Sequence, residues 1–385
     1  MPDGYDRLRA DGPLSRVTLY DGREVWLASG SAEGRALLLD ARLSVSVLHP
    51  AFPALAPQFA EQSAGGFTPP LSGVDDPEHA RQRRLVIPAF GVRRIAALLP
   101  GIERTAEALV DAMLAGGDRA DLVPAFSLPL ACAANLALLG VSEEDGHYIG
   151  TRSRRLLSPA VGDEAGAAQR ILGEILDRLR AVVARKEQRP GTGLIDELIA
   201  GPVAEGGMDR DQLVALCMVL MASGDDSTSS TVAASVFALL AHPEQLERLR
   251  GEPESIPGAV DELTRLTSVI DILPRVATAD IEIAGHTIEA GEGVLISLML
   301  MNRDPGAWED PDALDVGRRA GRHVAFGFGV HQCVGQNLAR AVTGTALSVL
   351  LRRVPTLRLA VPVEQVKADP PYVLQGGVSE LPVAW

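Results

Sequence analysis

The chain has 385 residues, 46% apolar and 22% charged, enough to bury a substantial core in one large domain or two to three smaller ones. Its formal charge of −14 argues against nucleic acid and anionic membrane surfaces as partners, because both call for a basic face. Three scattered cysteines, Cys132, Cys217 and Cys333, exclude a disulfide framework and a zinc site made from cysteine pairs.

The first residues, MPDGYDRLRADGPLSRV, contain no apolar core of signal-peptide length, and no apolar run is long enough for a membrane span. A cytoplasmic location is therefore expected. Val17–Ser29 alternates around Asp21-Gly22 and predicts a hairpin. After Pro- and Gly-rich loops, the stretch from Arg94 to Leu249 is predicted mostly helical, for example over Ile95–Leu114 and Gly166–Arg185. A further long helix starts at Asp209, an N-cap residue with Gln212 three positions on. Its apolar run ends at Ala222, and eight small or polar residues, Ser223–Ser230, follow. Hydroxyls there can bond the preceding turn, so a bend and a local widening are expected. Leu273–Leu300 alternates, with turns at Ala284-Gly285 and Ala290–Gly293, and short strands are predicted again near VPTLRLAVP and ELPVAW.

The fold class read from this pattern is mainly α with small β-sheets. The β-rich portions are about 15–50, 270–300 and 355–385, and the helical ones about 75–270 and 335–352. Strands near residues 20 and 290 are too short to be stable alone; pairing between them would make 1–385 a single domain.

Ala325–Arg340 reads AFGFGVHQCVGQNLAR and runs into an apolar helical stretch. Gly327, Gly329 and Gly335 permit positive φ and close backbone approach. Cys333 precedes the predicted helix, where free N–H groups and the helix dipole favour a thiolate. Four chemistries fit these residues: a buried structural cysteine, a zinc site from His323, His331 and Cys333, a nucleophilic cysteine beside His331, or an axial thiolate to haem iron.

The run Phe326–Gly335 resembles the haem-binding loop of the cytochrome P450 superfamily in its bacterial form, Phe-Gly-x-Gly-x-His-x-Cys-x-Gly. DDPEHARQRRLVIPAF, AHPEQLERLR, DELTRL, LPRVA and GGVSELPVAW also resemble family motifs in family order, so the likeness covers nearly the whole chain. It implies one domain over 1–385: a triangular helical prism with a long central helix over haem. It implies haem b with Cys333 as the metal ligand and His79, Arg83, Arg275 and His331 on the propionates. His79 and Arg83 stand one helical turn apart, on one side of a helix. Phe326, Gly327, Gly335 and Ser223 would contact the cofactor. Glu262 and Arg265, joined by Arg318, would be a buried structural pair. On the central helix Ser223-Gly224 occupy the family's Ala-Gly, Asp226 the acid, and Ser227 and Thr228 its two threonines; the acid and hydroxyl deliver protons to bound dioxygen. Ser223, Ser227 and Gln336 depart from the family pattern, and a serine at 227 keeps the hydroxyl without the β-branch that fixes it.

The implied activity is a haem-thiolate monooxygenase that inserts one atom of O2 into a C–H bond of a small molecule, a secondary metabolite by family habit. Electrons would come from ferredoxin and ferredoxin reductase, and Arg81, Arg84, Arg93, Arg94, Arg319 and Arg322 would form a basic dock. Oxidative coupling of aryl or phenol rings in a peptide or aromatic metabolite is the alternative. A non-catalytic recruitment module of the same fold is disfavoured by Cys333. The expected pocket is lined by about 51–74, 153–178, Met218–Ser227, Val269–Leu273 and Val373–Val378, where Asp271 either meets a polar substrate group or points to solvent.

Overall fold

A computed structural model describes residues 4–57, 60, 68–157, 166–367 and 376–385. Strands β1 (Leu14–Thr18) and β2 (Glu24–Ala28) form the hairpin predicted around Asp21-Gly22, with Gly22 at φ 83°. The other strands are β3 (Leu43–Ser44), β4 (Arg119–Asp121), β5 (Ile272–Ala277), β6 (Ile281–Ile283), β7 (His286–Ile288), β8 (Gly293–Ser297), β9 (Arg358–Leu359) and β10 (Pro382–Ala384). The largest sheet runs β1-β2-β8-β5-β3. Its parallel β2–β8 ladder sets Trp26 opposite Val294, so the two short β regions do pair. β10 lies between β4 and β9 in a second sheet.

The helices are α1 (Tyr5–Ala10), α2 (Ser31–Leu39), α3 (Glu78–Val86), α4 (Val92–Ala115), α5 (Leu128–Leu139), α6 (Glu143–Leu157), α7 (Ala167–Gln188), α8 (Leu194–Leu198), α9 (Arg210–Ala241), α10 (Pro243–Gly251), α11 (Ile256–Thr267), α12 (Leu298–Met301) and α13 (Gln336–Arg353). Most of the buried apolar side chains sit in the helical part, around α4, α5, α7, α9, α11 and α13, while the sheet has smaller clusters of its own. α9 packs against α5, α6, α7, α11 and α13. Buried residues occur on all its sides, as a helix wrapped by others requires. No described helix is by itself long and apolar enough to cross a membrane.

The start of α9 is the expected capping box: Gln212 N–H donates to Asp209 Oδ1 at 2.7 Å, and Asp209 N–H donates to Gln212 Oε1 at 3.0 Å. The polar run Ser223–Ser230 does not break the helix: α9 is helical without interruption from Arg210 to Ala241. The hydroxyls of Ser223, Ser227 and Thr231 donate to the carbonyls of Val219, Ser223 and Ser227 at 2.7, 2.7 and 2.8 Å. These bonds add a second acceptor contact to each carbonyl and displace none of the backbone ladder.

Candidate active site

The loop before α13 is folded on itself. Cys333 N–H donates to Phe326 O at 2.8 Å, Gln332 N–H to Gly329 O at 3.1 Å, and Gly327 N–H to Val324 O at 2.7 Å. Gly327 and Gly329 adopt φ of 73° and 76°, and a Cβ on Gly329 would sit 2.6 Å from Leu38 O. Both therefore need glycine. Gly335 differs from expectation: its φ is −80°. A Cβ there would make only ordinary contacts, 3.8 Å from Cys333 Sγ and from Phe90.

Cys333 keeps an exposed sulfur at the start of α13. Burial among dense protein pushes its thiol pKa up, and the N–H groups of Gly335 and Gln336 with the Arg83 and Arg340 guanidiniums only partly oppose that.

Four basic side chains gather beside this sulfur. The rings of His79 and His331 are 4.0 Å apart. His79 is 2% exposed, bonds Asp76 through Nδ1 at 3.1 Å, and leaves its buried Nε2 without a partner. Burial, then the neighbouring His79 and Arg275 side chains, pushes His331 down to about 4. Arg275 is buried, bonds Pro274 O at 2.8 Å, and is pushed down to about 10 by burial, which Asp75 only partly opposes. Burial also lowers Arg83, against the attraction of Cys333. Among the described residues neither Arg83 nor Arg275 has a carboxylate at ion-pair distance. Arg275 is buried and Arg83 half-buried; a guanidinium withdrawn from water without counter-charge is costly, and a ligand bearing carboxylates would relieve both. Haem, with two propionates and an iron that takes thiolate, fits this set of donors.

On α9, Ser223 is exposed, Ser227 half-buried and Thr228 buried. Asp226 lies 3.6 Å from Arg154 Nη1 of α6. Burial raises the Asp226 carboxyl, Arg154 opposes this, and Asp225 adds to it. Sequence reasoning missed Arg154, Asp225 and the Asn135–Gly224 contact. Gly224 is required because a Cβ would approach Asn135 Nδ2 to 2.7 Å. The adjacent acids Asp225-Asp226 were a visible signal; nothing marked Arg154 within its run of arginines.

The remaining expected residues are placed as follows. Glu262 and Arg265 are fully buried and paired at 2.6 and 2.8 Å, with Arg318 Nε at 3.1 Å from Glu262. Asp271 faces neither substrate nor solvent; it accepts from Tyr5 Oη, from Ser297 Oγ at 2.6 Å and from Met299 N–H at 3.0 Å. His323 lies 3.4 Å from Asp261, turned toward Arg340, and no three potential ligands among the described residues could hold a metal ion. Gln336 accepts from Arg340 Nη1 at 2.9 Å, and that guanidinium covers the Phe326 ring at 4.5 Å, so this departure ties α13 to the cysteine loop. Arg81, Arg94 and Arg322 are engaged by Glu78, Glu197 and the Trp308 ring, whereas Arg84, Arg93 and Arg319 are exposed. Gly376 N–H donates to Val269 O at 2.6 Å, so two of the expected pocket stretches meet. The parts of that pocket at 58–59, 61–67, 158–165 and 373–375 lie outside the described residues.

The family model for cytochrome P450 matches residues 148–356. Pentalenic acid synthase of Streptomyces avermitilis is 47% identical over all of this chain and 94% of its own length. Vitamin D3 dihydroxylase of Streptomyces griseolus is 45% identical over all of this chain and 94% of its own. The crystal structure of mycinamicin VIII C21 methyl hydroxylase from Micromonospora griseorubida, bound to mycinamicin VIII, superposes with a TM-score of 0.92 at 35% identity, covering 100% of this chain and 97% of that one. A cysteine loop with Arg83 and Arg275 left without carboxylate partners, on a chain matched along its whole length by these relatives, leaves one assignment: the chain belongs to the cytochrome P450 family and is an oxidoreductase of the monooxygenase type.

Proposed function

We propose that this chain is a haem-thiolate monooxygenase of secondary metabolism that hydroxylates a small organic substrate with electrons from a ferredoxin and its reductase. The observation that carries the reading is the exposed Cys333 with half-buried Arg83 near it, and the group of buried His79 and Arg275 with half-buried His331, none of which has a carboxylate partner among the described residues other than Asp76 on His79. Haem b bound there supplies the reductive activation of O2 and insertion of one oxygen atom into a C–H bond, the second atom leaving as water after two electrons and two protons are consumed.

The chain's own residues hold, orient and meter. Arg83 and Arg275 meet propionates through charge-assisted bonds, for which the guanidinium fork is suited. His79 Nε2, unpartnered and buried, is a third propionate contact, and the neutral His331 ring stacked on it a fourth. Phe326 and Gly327 would shape the loop that holds the cofactor, Gly335 with Gln336 offers N–H groups to the Cys333 sulfur, and the exposed Ser223 of α9 would contact the cofactor. Asp226, its carboxyl raised by burial, holds a proton; the Ser227 hydroxyl donates to Ser223 O and keeps its oxygen free to accept one. Thr228 supports this turn from the buried side. Relatives named for pentalenic acid, vitamin D3 and mycinamicin VIII support a small organic substrate. Exposed Arg84, Arg93 and Arg319 offer an acidic ferredoxin a basic dock on an otherwise acidic chain.

Purified protein tests the reading through its carbon-monoxide difference spectrum. A band near ~450 nm, the signature of thiolate-ligated haem, is expected in the parent and absent in Cys333→Ala. A colourless parent expressed with ample haem supply refutes the assignment. Ser227→Ala is expected to keep the band but form less product per reducing equivalent and more peroxide; unchanged coupling removes the proton role.

A further inference from the structure

The middle of α9 carries two adjacent carboxyls, and the reading above uses only Asp226. Its neighbour Asp225 is 5% exposed and is directed at α5. Its Oδ1 accepts from Asn135 Nδ2 at 2.8 Å, and the Cys132 thiol supplies a second donor. Cys132 and Asn135 stand three residues apart on α5, hence on one helix face. Asn135 comes this close because Gly224 has no side chain: a Cβ there would lie 2.7 Å from the amide nitrogen. The same nitrogen also reaches Leu220 O at 3.2 Å and Met221 O at 3.4 Å, which fixes the amide against α9.

The cation side is equally confined. Arg154 Nη1 is 3.6 Å from Asp226 Oδ1. A Cβ added to Gly150 would be 3.4 Å from Arg154 Nη1 and 3.7 Å from Asp225 Oδ2. The guanidinium and the inner carboxylate thus converge over one glycine of α6. Among the described residues, the charged or titratable groups facing the two carboxyls are Arg154 from α6 and Cys132 from α5. One guanidinium therefore serves two carboxyls, both withdrawn from water.

We propose that Asp225 is a positioning residue for the reaction: a fixed carboxylate that competes with Asp226 for the single Arg154 guanidinium and leaves Asp226 as the carboxyl that carries a proton. The asymmetry of partners sets the roles. Asp225 has two neutral donors that suit a carboxylate, whereas Asp226 has only the long Arg154 contact and stays partly open. Two like charges sharing one counter-ion titrate as a coupled pair, so the proton settles on the less supported member. Burial raises both carboxyls, in keeping with a pair that retains a proton. When Asp226 swings from Arg154, Asp225 remains to hold the arginine in place.

The proposal rests on the reading of Asp226 as the proton-carrying acid, and two readouts keep the ideas separable. Infrared pH titration of the haem-loaded protein follows Asp226 directly, as the protonated-carboxyl stretch that vanishes in Asp226→Asn. In Asp225→Asn the midpoint for losing that stretch is expected to fall by about one pH unit, because the remaining carboxyl has the guanidinium to itself. Cys132→Ala leaves the Asp225 charge in place but removes one of its donors, so Asp225 leans harder on Arg154 and the midpoint is expected to move the opposite way, up, by less. The carbon-monoxide band verifies that each variant is folded and loaded; if Asp225→Asn does not load haem, Cys132→Ala decides. A midpoint unchanged from the parent overturns the proposal. Product formed per reducing equivalent is measured across the same pH range. If the midpoint moves and this profile does not, the shared guanidinium stands and the relay reading of Asp226 falls.

Discussion

Glu262→Gln is the perturbation with the largest consequence that can be worked from the contacts. Arg265 is wholly buried and uses every donor it has: Nε on Glu262 at 2.6 Å, Nη2 on Glu262 at 2.8 Å and Ala313 O at 3.2 Å, Nη1 on Asn302 O and Pro311 O at 2.7 Å each. Glu262 in turn accepts from Arg318 Nε at 3.1 Å and Asp315 N–H at 3.2 Å. Glutamine removes the negative charge and turns one acceptor oxygen into a donor facing donors. Stranding a buried guanidinium in this way costs about 3–5 kcal/mol, a large fraction of a total stability of about 5–15 kcal/mol. Trp308 is a built-in probe, since its ring lies 5.2 Å from the Arg265 guanidinium. Urea unfolding followed by Trp308 fluorescence, in a background where Trp26 and Trp385 are phenylalanine, gives the free energy. The double variant Glu262→Met/Arg265→Met removes both fully buried charges, leaves only the less buried Arg318 without its carboxylate, and is expected to lose less than the two single variants together. A loss under about 1 kcal/mol for Glu262→Gln, or strict additivity in the double variant, refutes the argument.

Three further outcomes are expected. Gly224→Ala gains about 1 kcal/mol of helix propensity but drives a methyl into Asn135, at a cost of about 1–3 kcal/mol; thermal unfolding is expected to show net destabilisation. Asp271→Asn weakens the buried contacts to Tyr5 and Ser297 and is expected to release α1 to faster hydrogen exchange with substrate affinity unchanged; a large change in affinity would return Asp271 to the pocket. At Asp145, burial pushes the carboxyl up, but bonds from Ser142, Arg185 and Arg178 outweigh it and hold the group below the usual range. A depressed folded pKa contributes stability above the unfolded value and loses it as pH falls through the folded one. The stability gap between the parent and Asp145→Asn, about 1–2 kcal/mol at neutral pH, is therefore expected to narrow as pH falls through and below the ordinary aspartate range.

Local signals carried furthest where the physics is local. The Asp21-Gly22 hairpin, the Asp209/Gln212 cap and the glycines at 327 and 329 each depend on residues a few positions apart, and each is found as read. The polar run in α9 does not interrupt the helix, because hydroxyls that can compete with a helix can also simply decorate it. Asp271 misled because its partner Tyr5 is 266 positions away, and no pattern within the Val269–Leu273 stretch announces that. Asp225 was passed over for a similar reason: its partners on α5 and α6 are visible only once three helices are packed. Gln336 looked like an anomaly until Arg340 supplied its use.

The β2–β8 ladder has a consequence for biosynthesis. Trp26 emerges from the ribosome long before Val294 exists to pair with it. At ~5–20 residues per second the interval is on the order of 10–50 s. Throughout that time the β1–β2 hairpin offers an open edge on the side β8 will later occupy. Truncation anywhere before Gly293 leaves that edge without its partner strand, an open template for pairing with other chains.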